Sequence, residues 1–326
     1  MAQMTLVQAI NDALKCEMRQ DKRVLVMGED VGVDGGVFRA TDGIINEFGP
    51  DRAIDTPLAE SGIVGAAIGM AVNGLRPVAE IQFDGFMTPA FDQIVSHAAR
   101  LRWRSRGRFS APIVVRAPYG GGIRALEHHS ESPEAWYVHT PGLKVVTPSG
   151  PSDAKGLLIA AIRDPDPVIY LEPKRLYRAF REEVPEGAYE IPLGKANLVR
   201  EGRDVTAISW GSMSRLLAQT AEEVAEQDGT SIEVIDLRTL VPLDFELISQ
   251  SVKKTGRVVI LQESARTCGF ASEIAALITE RLLLHLEAPV VRVSGYDIAI
   301  PYFRMEEHYL PDSGKVARGI RQAVTY

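Results

Sequence analysis

The chain has 326 residues, 45% of them hydrophobic, which is enough for two ordinary domains with their own cores. Its formal net charge of −7 excludes a general nucleic-acid-binding protein, because such affinity comes largely from Lys and Arg side chains that neutralise phosphates. The only cysteines, Cys16 and Cys268, lie far apart in the sequence and give neither a disulfide framework nor the paired spacing of a zinc site.

The first half begins with an amphipathic helix after Thr5, where Thr5 and Gln8 are placed to form a capping box. Buried strands are predicted by short apolar runs at 24–27, 78–83, 113–116, 144–147 and 168–171. Helices are predicted between them at 61–73, closed by Gly74, and at 89–104. This alternation is typical of an α/β domain.

The second half repeats that rhythm after a segment rich in charge and proline, which we interpret as a linker and surface excursion. Four further strands are predicted at 205–209, 232–235, 258–261 and 290–293. We therefore expect an α/β fold with two mostly parallel domains, at 1–180 and 204–326, joined by a linker at 181–203.

Neither a membrane span nor a leader is indicated by the sequence. No apolar run approaches the roughly 20 residues that cross a bilayer, and no charged-then-apolar segment precedes the first predicted helix. We expect a cytoplasmic bacterial or archaeal protein, or a mature chain that has lost its leader.

Glu60 is the only ionisable residue near the apolar start of the helix predicted at 61–73. The plain interpretation is a first-turn acid that complements the helix dipole. The alternative is a functional carboxyl, since the Gly- and Ala-rich helix permits close packing that would desolvate it. The sequence alone leaves both open.

A glycine-rich loop at 119–130 ends in two adjacent histidines, His128 and His129. Glycine permits close approach of the backbone to a ligand, and histidine titrates near neutral pH. Both histidines are equally compatible with ordinary loop residues, and no third metal ligand is evident nearby. The Gly-x-Gly-x-x-Gly spacing and the Walker loop are both absent, which disfavours a nicotinamide or nucleotide site.

Taken together, eight groups of residues closely resemble the beta subunit of the decarboxylating component of 2-oxo acid dehydrogenase complexes. The resemblance runs over essentially the full length, and the second group reads Asp-Thr-Pro-Leu-Ala-Glu-Ser-Gly. The groups are 28–32, 55–62, 74–77, 80–83, 129–135, 141–146, 233–239 and 269–273. The resemblance implies a thiamine pyrimidine-binding domain followed by a transketolase C-terminal-like domain.

For the cofactor, the resemblance implies thiamine diphosphate held at interfaces in an alpha2-beta2 heterotetramer. Glu60 matches the catalytic glutamate that faces the aminopyrimidine ring and favours its imino tautomer. Leu58, Gln82 and Phe86 match positions that line the same pocket, with Phe86 where relatives often have tyrosine. The Gly-Asp-Gly motif for the diphosphate and Mg²⁺ is absent here, which places the magnesium ligands on the alpha subunit.

The second catalytic position implied by the resemblance is His129, which matches a histidine that helps pass the acyl group to a lipoyl arm. His128 is given no role. The implied partners are the alpha subunit, the dihydrolipoamide acyltransferase core with its lipoyl domain, and a 2-oxo acid. A structural K⁺ on main-chain oxygens is implied at Ile113, Ala161, Ile162, Asp164 and Asp166.

The substrate is less well defined by the resemblance. The segments 171–178 and 295–297 favour a branched-chain 2-oxo acid, with pyruvate next and an acetoin dehydrogenase as a further alternative. A noncatalytic scaffold subunit would be expected to lack the glutamate or the histidine, yet both are present. A split transketolase-like enzyme would share the fold and cofactor but use no lipoyl acceptor.

Overall fold

The computed structural model describes all residues, 1–326, and contains fourteen strands. The strands of the first half are β1 (Ala2–Met4), β2 (Val24–Gly28), β3 (Ala53–Asp55), β4 (Arg76–Glu80), β5 (Val114–Tyr119), β6 (Lys144–Val146), β7 (Val168–Pro173) and β8 (Glu182–Val184). Those of the second half are β9 (Asn197–Arg200), β10 (Val205–Ser209), β11 (Ile232–Asp236), β12 (Thr239–Val241), β13 (Val258–Leu261) and β14 (Val291–Val293).

Eleven α-helices connect these strands. They are α1 (Leu6–Gln20), α2 (Ile44–Phe48), α3 (Glu60–Val72), α4 (Leu101–Arg104), α5 (Glu134–Val138), α6 (Pro151–Arg163), α7 (Ser212–Asp228), α8 (Phe245–Thr255), α9 (Phe270–Leu282), α10 (Glu306–Tyr309) and α11 (Ser313–Val324). No helix is both long enough and apolar enough to cross a membrane.

The larger sheet has seven strands in the order β12-β6-β7-β5-β4-β2-β3, all parallel except β12. Strands β2, β5 and β7 are buried along their whole length, which explains why they are mostly apolar, with Arg116 of β5 and Glu172 of β7 paired with each other. Helices α1 and α6 pack together over one face, and α3 covers the other. The edge strand β12 comes from the second half of the chain, so the two halves are joined through this sheet.

The smaller sheet has the order β14-β13-β10-β11-β9, parallel except for β9. Helices α7 and α11 cover one face, while α8 and α9 lie on the other. Residues of α9 and of α3 belong to the same hydrophobic cluster, so one core continues from one half into the other. The expectation of two mostly parallel α/β domains is confirmed.

The N-terminal helix also agrees with its prediction. Helix α1 begins directly after Thr5, whose backbone N–H donates to Gln8 Oε1 at 3.0 Å, as a capping box requires.

Two expectations need revision. The helix predicted at 89–104 is confirmed only in part: most of the segment is helical, but it includes a π-helical stretch at Gln93–Ala98 and a turn at 99–100 before the short α4. Ala99 N donates to Ile94 O five residues earlier, as in a π-helix, and Gly142 lies so close to the Ala99 backbone that a Cβ atom on it would overlap the Ala99 carbonyl. The segment 181–203 contains β8 and β9, so it is not an irregular linker throughout. The boundaries at 180 and 204 stay a prediction.

Candidate active site

The candidate residues lie at one edge of the larger sheet. The carboxyl ends of β2, β3, β4 and β5 lead into the segments that carry Glu29, Glu60, Gln82 and His129. Parallel strands bring their carboxyl ends to the same edge, and open α/β sheets bind ligands there. These segments are separated in the sequence, but they lie side by side because β3, β2, β4 and β5 are neighbours in the sheet.

Glu60 is the first residue of α3, and it is only 8% exposed. The helix is glycine-rich where it packs closely: a Cβ atom on Gly65 would lie 3.3 Å from Gln93 Oε1. Glu29, at the end of β2, lies near enough that the Glu60 charge contributes to a raised Glu29 pKa, after burial, which is the larger cause. An acid that only complements the helix dipole needs neither burial nor a second carboxyl beside it. The pair of shielded carboxyls therefore favours a functional role for Glu60.

The proposed pocket positions differ in their exposure. Leu58 is 78% exposed, although it is a large apolar side chain on the segment that leads to Glu60. The Gln82 amide donates to Asp30 Oδ2 at 3.4 Å, which ties the ends of β4 and β2 together. Phe86 lies in a 3₁₀ turn with its ring 5.2 Å from the His129 ring. All three residues lie on segments that follow the carboxyl ends of β3 and β4.

His129 ends a 3₁₀ turn at Glu127–His129 and is held between two aromatic rings. Its ring centroid lies 4.3 Å from that of Phe83, with Phe86 on another side. Its Nδ1 is buried without a hydrogen-bond partner. Burial, and next the positive charge of Lys174, lowers the pKa of His129, so its imidazole is mainly neutral at neutral pH.

Lys174 and Asp84 form a fully buried pair behind the histidine, and the sequence analysis missed it. Their Nζ and Oδ1 atoms form an ion pair at 3.6 Å, which is too long for a hydrogen bond, and neither charged group has a hydrogen-bond partner. Burial raises the pKa of Asp84 well above its usual range and lowers that of Lys174. Neither residue is marked by its local sequence, because their contact joins segments 90 positions apart.

Gly85 shows how closely the two site segments pack. A Cβ atom at this position would overlap the His128 backbone, with 2.8 Å to its Cα and 2.9 Å to its carbonyl carbon. Glycine is therefore required for the turn carrying Phe86 to lie against the turn carrying His129. The side chain of His128 itself points away, since it is largely exposed.

The five positions implied for K⁺ lie elsewhere, near the amino ends of β5 and β7. Several of their carbonyl oxygens already accept protein hydrogen bonds. Arg76 Nη1 donates to Ile162 O at 2.7 Å and to Asp164 O at 3.1 Å. Val168 N donates to Ile113 O at 3.0 Å, and Asp164 N donates to Ala161 O at 3.3 Å. These positions are separate from the edge that carries Glu60 and His129.

Comparison with known proteins gives two family matches and several full-length relatives. Residues 2–179 match the transketolase pyrimidine binding domain, and residues 194–316 match the transketolase C-terminal domain. The pyruvate dehydrogenase E1 component subunit beta of Acholeplasma laidlawii is 53% identical over 322 residues, covering 99% of this chain and 98% of the relative. Its namesake in Staphylococcus aureus strain N315 is 52% identical over 326 residues, covering all of both chains.

Among solved structures, a split-gene transketolase described as an inactive beta4 tetramer superposes with a TM-score of 0.81. The match covers 99% of each chain at 23% identity. At that identity, the likeness shows the fold alone.

Proposed function

The chain belongs to the beta subunits of the E1 component of 2-oxo acid dehydrogenases, a thiamine diphosphate-dependent family, and we propose that Glu60 and His129 are its catalytic residues. The observation that carries the proposal is their placement. A shielded carboxyl and a histidine with a free ring nitrogen border the same open edge of the larger sheet. Each is supplied by a different strand end.

The site fits the aminopyrimidine end of the cofactor. Glu60 offers a shielded carboxylate for a ring N–H, while Leu58, Gln82 and Phe86 provide apolar, amide and aromatic surfaces around it. When bound, thiamine diphosphate supplies a carbon nucleophile and an electron sink. Glu60 would hold and exchange a proton at the ring nitrogen. Burial, and next the Glu60 charge, raises the pKa of the nearby Glu29 carboxyl.

His129 is proposed to act as general acid/base toward the substrate-derived acyl group and the lipoyl sulfur. The rings of Phe83 and Phe86 fix its orientation and exclude water from part of its surface. Its lowered pKa keeps it able to accept a proton near neutral pH.

We propose that an alpha subunit completes the site in an alpha2-beta2 heterotetramer. Leu58 is exposed on the segment leading to Glu60, and Leu126 is exposed on the histidine loop, as expected for surfaces that a partner covers. The sequence contains no Gly-Asp-Gly motif for the diphosphate end, so the Mg²⁺ ligands are assigned to the partner. The dihydrolipoamide acyltransferase and its lipoyl domain are the proposed acyl acceptor.

Pyruvate is the substrate we propose first. The relatives that match over the full length are named for pyruvate dehydrogenase, whereas segments 171–178 and 295–297 favoured a branched-chain acid in the sequence. The branched-chain 2-oxo acid is therefore the second candidate, and acetoin is the third. The presence of Glu60 and His129 argues against a noncatalytic scaffold.

We also propose a structural K⁺ near the amino ends of β5 and β7, away from the edge of the sheet that carries Glu60 and His129. The carbonyl oxygens of Ile162 and Asp164 would have to accept both the cation and the Arg76 guanidinium. Thermal unfolding in K⁺ compared with tetramethylammonium chloride tests this, since a bound ion raises the melting temperature with its concentration. Identical melting curves in the two salts would contradict it.

The experiment for the function is reconstitution of the chain with its alpha subunit, thiamine diphosphate and Mg²⁺. Decarboxylation is measured with pyruvate and 3-methyl-2-oxobutanoate, and C–C cleavage that releases acetaldehyde is measured with acetoin, each with and without a lipoyl domain. We expect the highest kcat/KM for pyruvate and acyl transfer to the lipoyl group. Product formation independent of the lipoyl domain and of artificial oxidants would instead support a transketolase-like enzyme.

A further inference from the structure

The glycine-rich loop that precedes His129 is held by carboxylates from the other half of the chain. Glu263, which follows β13, accepts from Gly121 N at 2.6 Å and from the Ser132 hydroxyl at 3.0 Å. It therefore connects the start of the loop to the segment after the histidine.

Glu306, the first residue of α10, holds the middle of the same loop. It is 1% exposed, and its two carboxylate oxygens accept from Gly122 N at 2.8 Å and from Arg124 N at 2.9 Å. A buried carboxylate requires such donors, and bonds to a charged acceptor are stronger than neutral ones. The backbone of Arg124 adopts a left-handed conformation with φ of 57°, which residues other than glycine seldom adopt.

These carboxylates explain why the loop has glycine at positions 120 and 121. A Cβ atom on Gly120 would lie 2.8 Å from Glu263 Oε1, and one on Gly121 would lie 3.1 Å from Glu306 Oε1. A side chain at either position would push a carboxylate away from the backbone N–H groups.

We propose that Glu306 and Glu263 are positioning residues for His129, so that the second half of the chain sets the geometry of the catalytic histidine. Neither carboxylate is required to touch the substrate or the cofactor. This inference rests on the proposed role of His129 in lipoyl acylation. It adds that the role depends on contacts about 180 residues away in sequence.

The test is a double-mutant cycle of Glu306→Gln and His129→Ala in the enzyme assembled with its alpha subunit, thiamine diphosphate and Mg²⁺. Glutamine has one acceptor oxygen, so it retains only one of the two backbone bonds. We expect Glu306→Gln to slow single-turnover acylation of a lipoyl domain about 10- to 100-fold, since a displacement near 1 Å costs up to about 10²-fold. In the His129→Ala background it should cause no further loss.

Exchange of the cofactor C2 proton is the second readout, because it depends on Glu60 and should be unchanged in Glu306→Gln. Glu307→Gln is the matched control: it removes a neighbouring carboxylate that pairs with the exposed Arg124 side chain instead of the loop backbone. It should acylate at the parent rate. Glu306→Asp, which keeps the charge on a shorter side chain, should be impaired like Glu306→Gln.

The outcomes separate this inference from the function itself. Parent-rate acylation by Glu306→Gln, an equal loss in the His129→Ala background, or a parallel loss of C2 exchange would overturn the positioning role. Failure of both Glu306 variants to assemble would overturn it in favour of a purely structural role. If His129→Ala itself acylates at the parent rate, the proposed function of the histidine is what has failed.

Discussion

Gly85→Ala perturbs the geometry of the site without removing any chemical group from it. The added Cβ would lie 2.8 Å from His128 Cα and 2.9 Å from its carbonyl carbon, whereas ordinary contacts begin near 3.4 Å. The closest overlap is with the His128 carbonyl oxygen, so the turns carrying Phe86 and His129 must separate by more than the roughly half ångström that these two distances alone require. Both contacting groups are backbone, so neither can rotate away as a flexible side chain would.

The expected result is slower lipoyl acylation with the fold retained. A displacement of about 1 Å costs up to about 10²-fold in rate, so we expect a loss between about 10- and 100-fold. Overpacking of this kind also destabilises by about 1–3 kcal/mol. Single-turnover acylation of a lipoyl domain measures the first effect, and denaturant unfolding measures the second.

Gly69→Ala is the matched control for Gly85→Ala. Gly69 lies in α3 with nothing within 4 Å of an added Cβ, so alanine there should stabilise the helix by about 0.5–1 kcal/mol and leave acylation unchanged. If Gly85→Ala acylates as fast as this control, the close packing of the two turns does not position His129.

Three further predictions concern the cofactor, the histidine and the core. The isolated chain should show no calorimetric binding of thiamine diphosphate with or without Mg²⁺, and low-micromolar affinity would contradict a divided site. Burial is the main cause of the lowered His129 pKa, and the Lys174 charge is the next. Replacing the buried pair by Lys174→Met with Asp84→Asn removes the second cause, so the histidine limb of the acylation pH profile should move to higher pH; an unmoved limb refutes the assignment. Arg116→Met leaves two buried glutamates unpaired and should cost about 3–5 kcal/mol in denaturant unfolding, and a loss below about 1 kcal/mol would show that they relax.

The strands of both sheets were largely predictable because buried parallel strands are continuous apolar runs bounded by turns. The exceptions are short strands whose pairing is set by distant contacts. Thr239–Val241 forms an edge strand of the larger sheet only because the second half of the chain lies beside β6. A strand of three residues is too short to show a periodic pattern of apolar residues, so its pairing could not be predicted from the sequence.

The candidate catalytic residues could be predicted from the sequence, but the buried residues that hold them in place could not. Glu60 and His129 were identified through the family resemblance, and the parallel sheet explains why they share an edge. Lys174 and Glu306 were missed because a buried charge is recognised by its partners, which here lie far away in sequence. The glycines at 120–122 were interpreted as room for a ligand, whereas they make room for side chains of the same chain: Glu263 beside Gly120, Glu306 beside Gly121 and Arg175 beside Gly122.

The central claim, that Glu60 acts on the aminopyrimidine ring, is tested most directly by hydrogen–deuterium exchange at the cofactor C2, followed by NMR after acid quench. In the enzyme assembled with its alpha subunit, Glu60→Gln should still bind the cofactor but exchange this proton at least about 10²-fold more slowly. Glu273→Gln, which removes an exposed first-turn acid from α9, should exchange at the parent rate. Unchanged exchange in assembled Glu60→Gln would reduce Glu60 to an acid that only begins a helix.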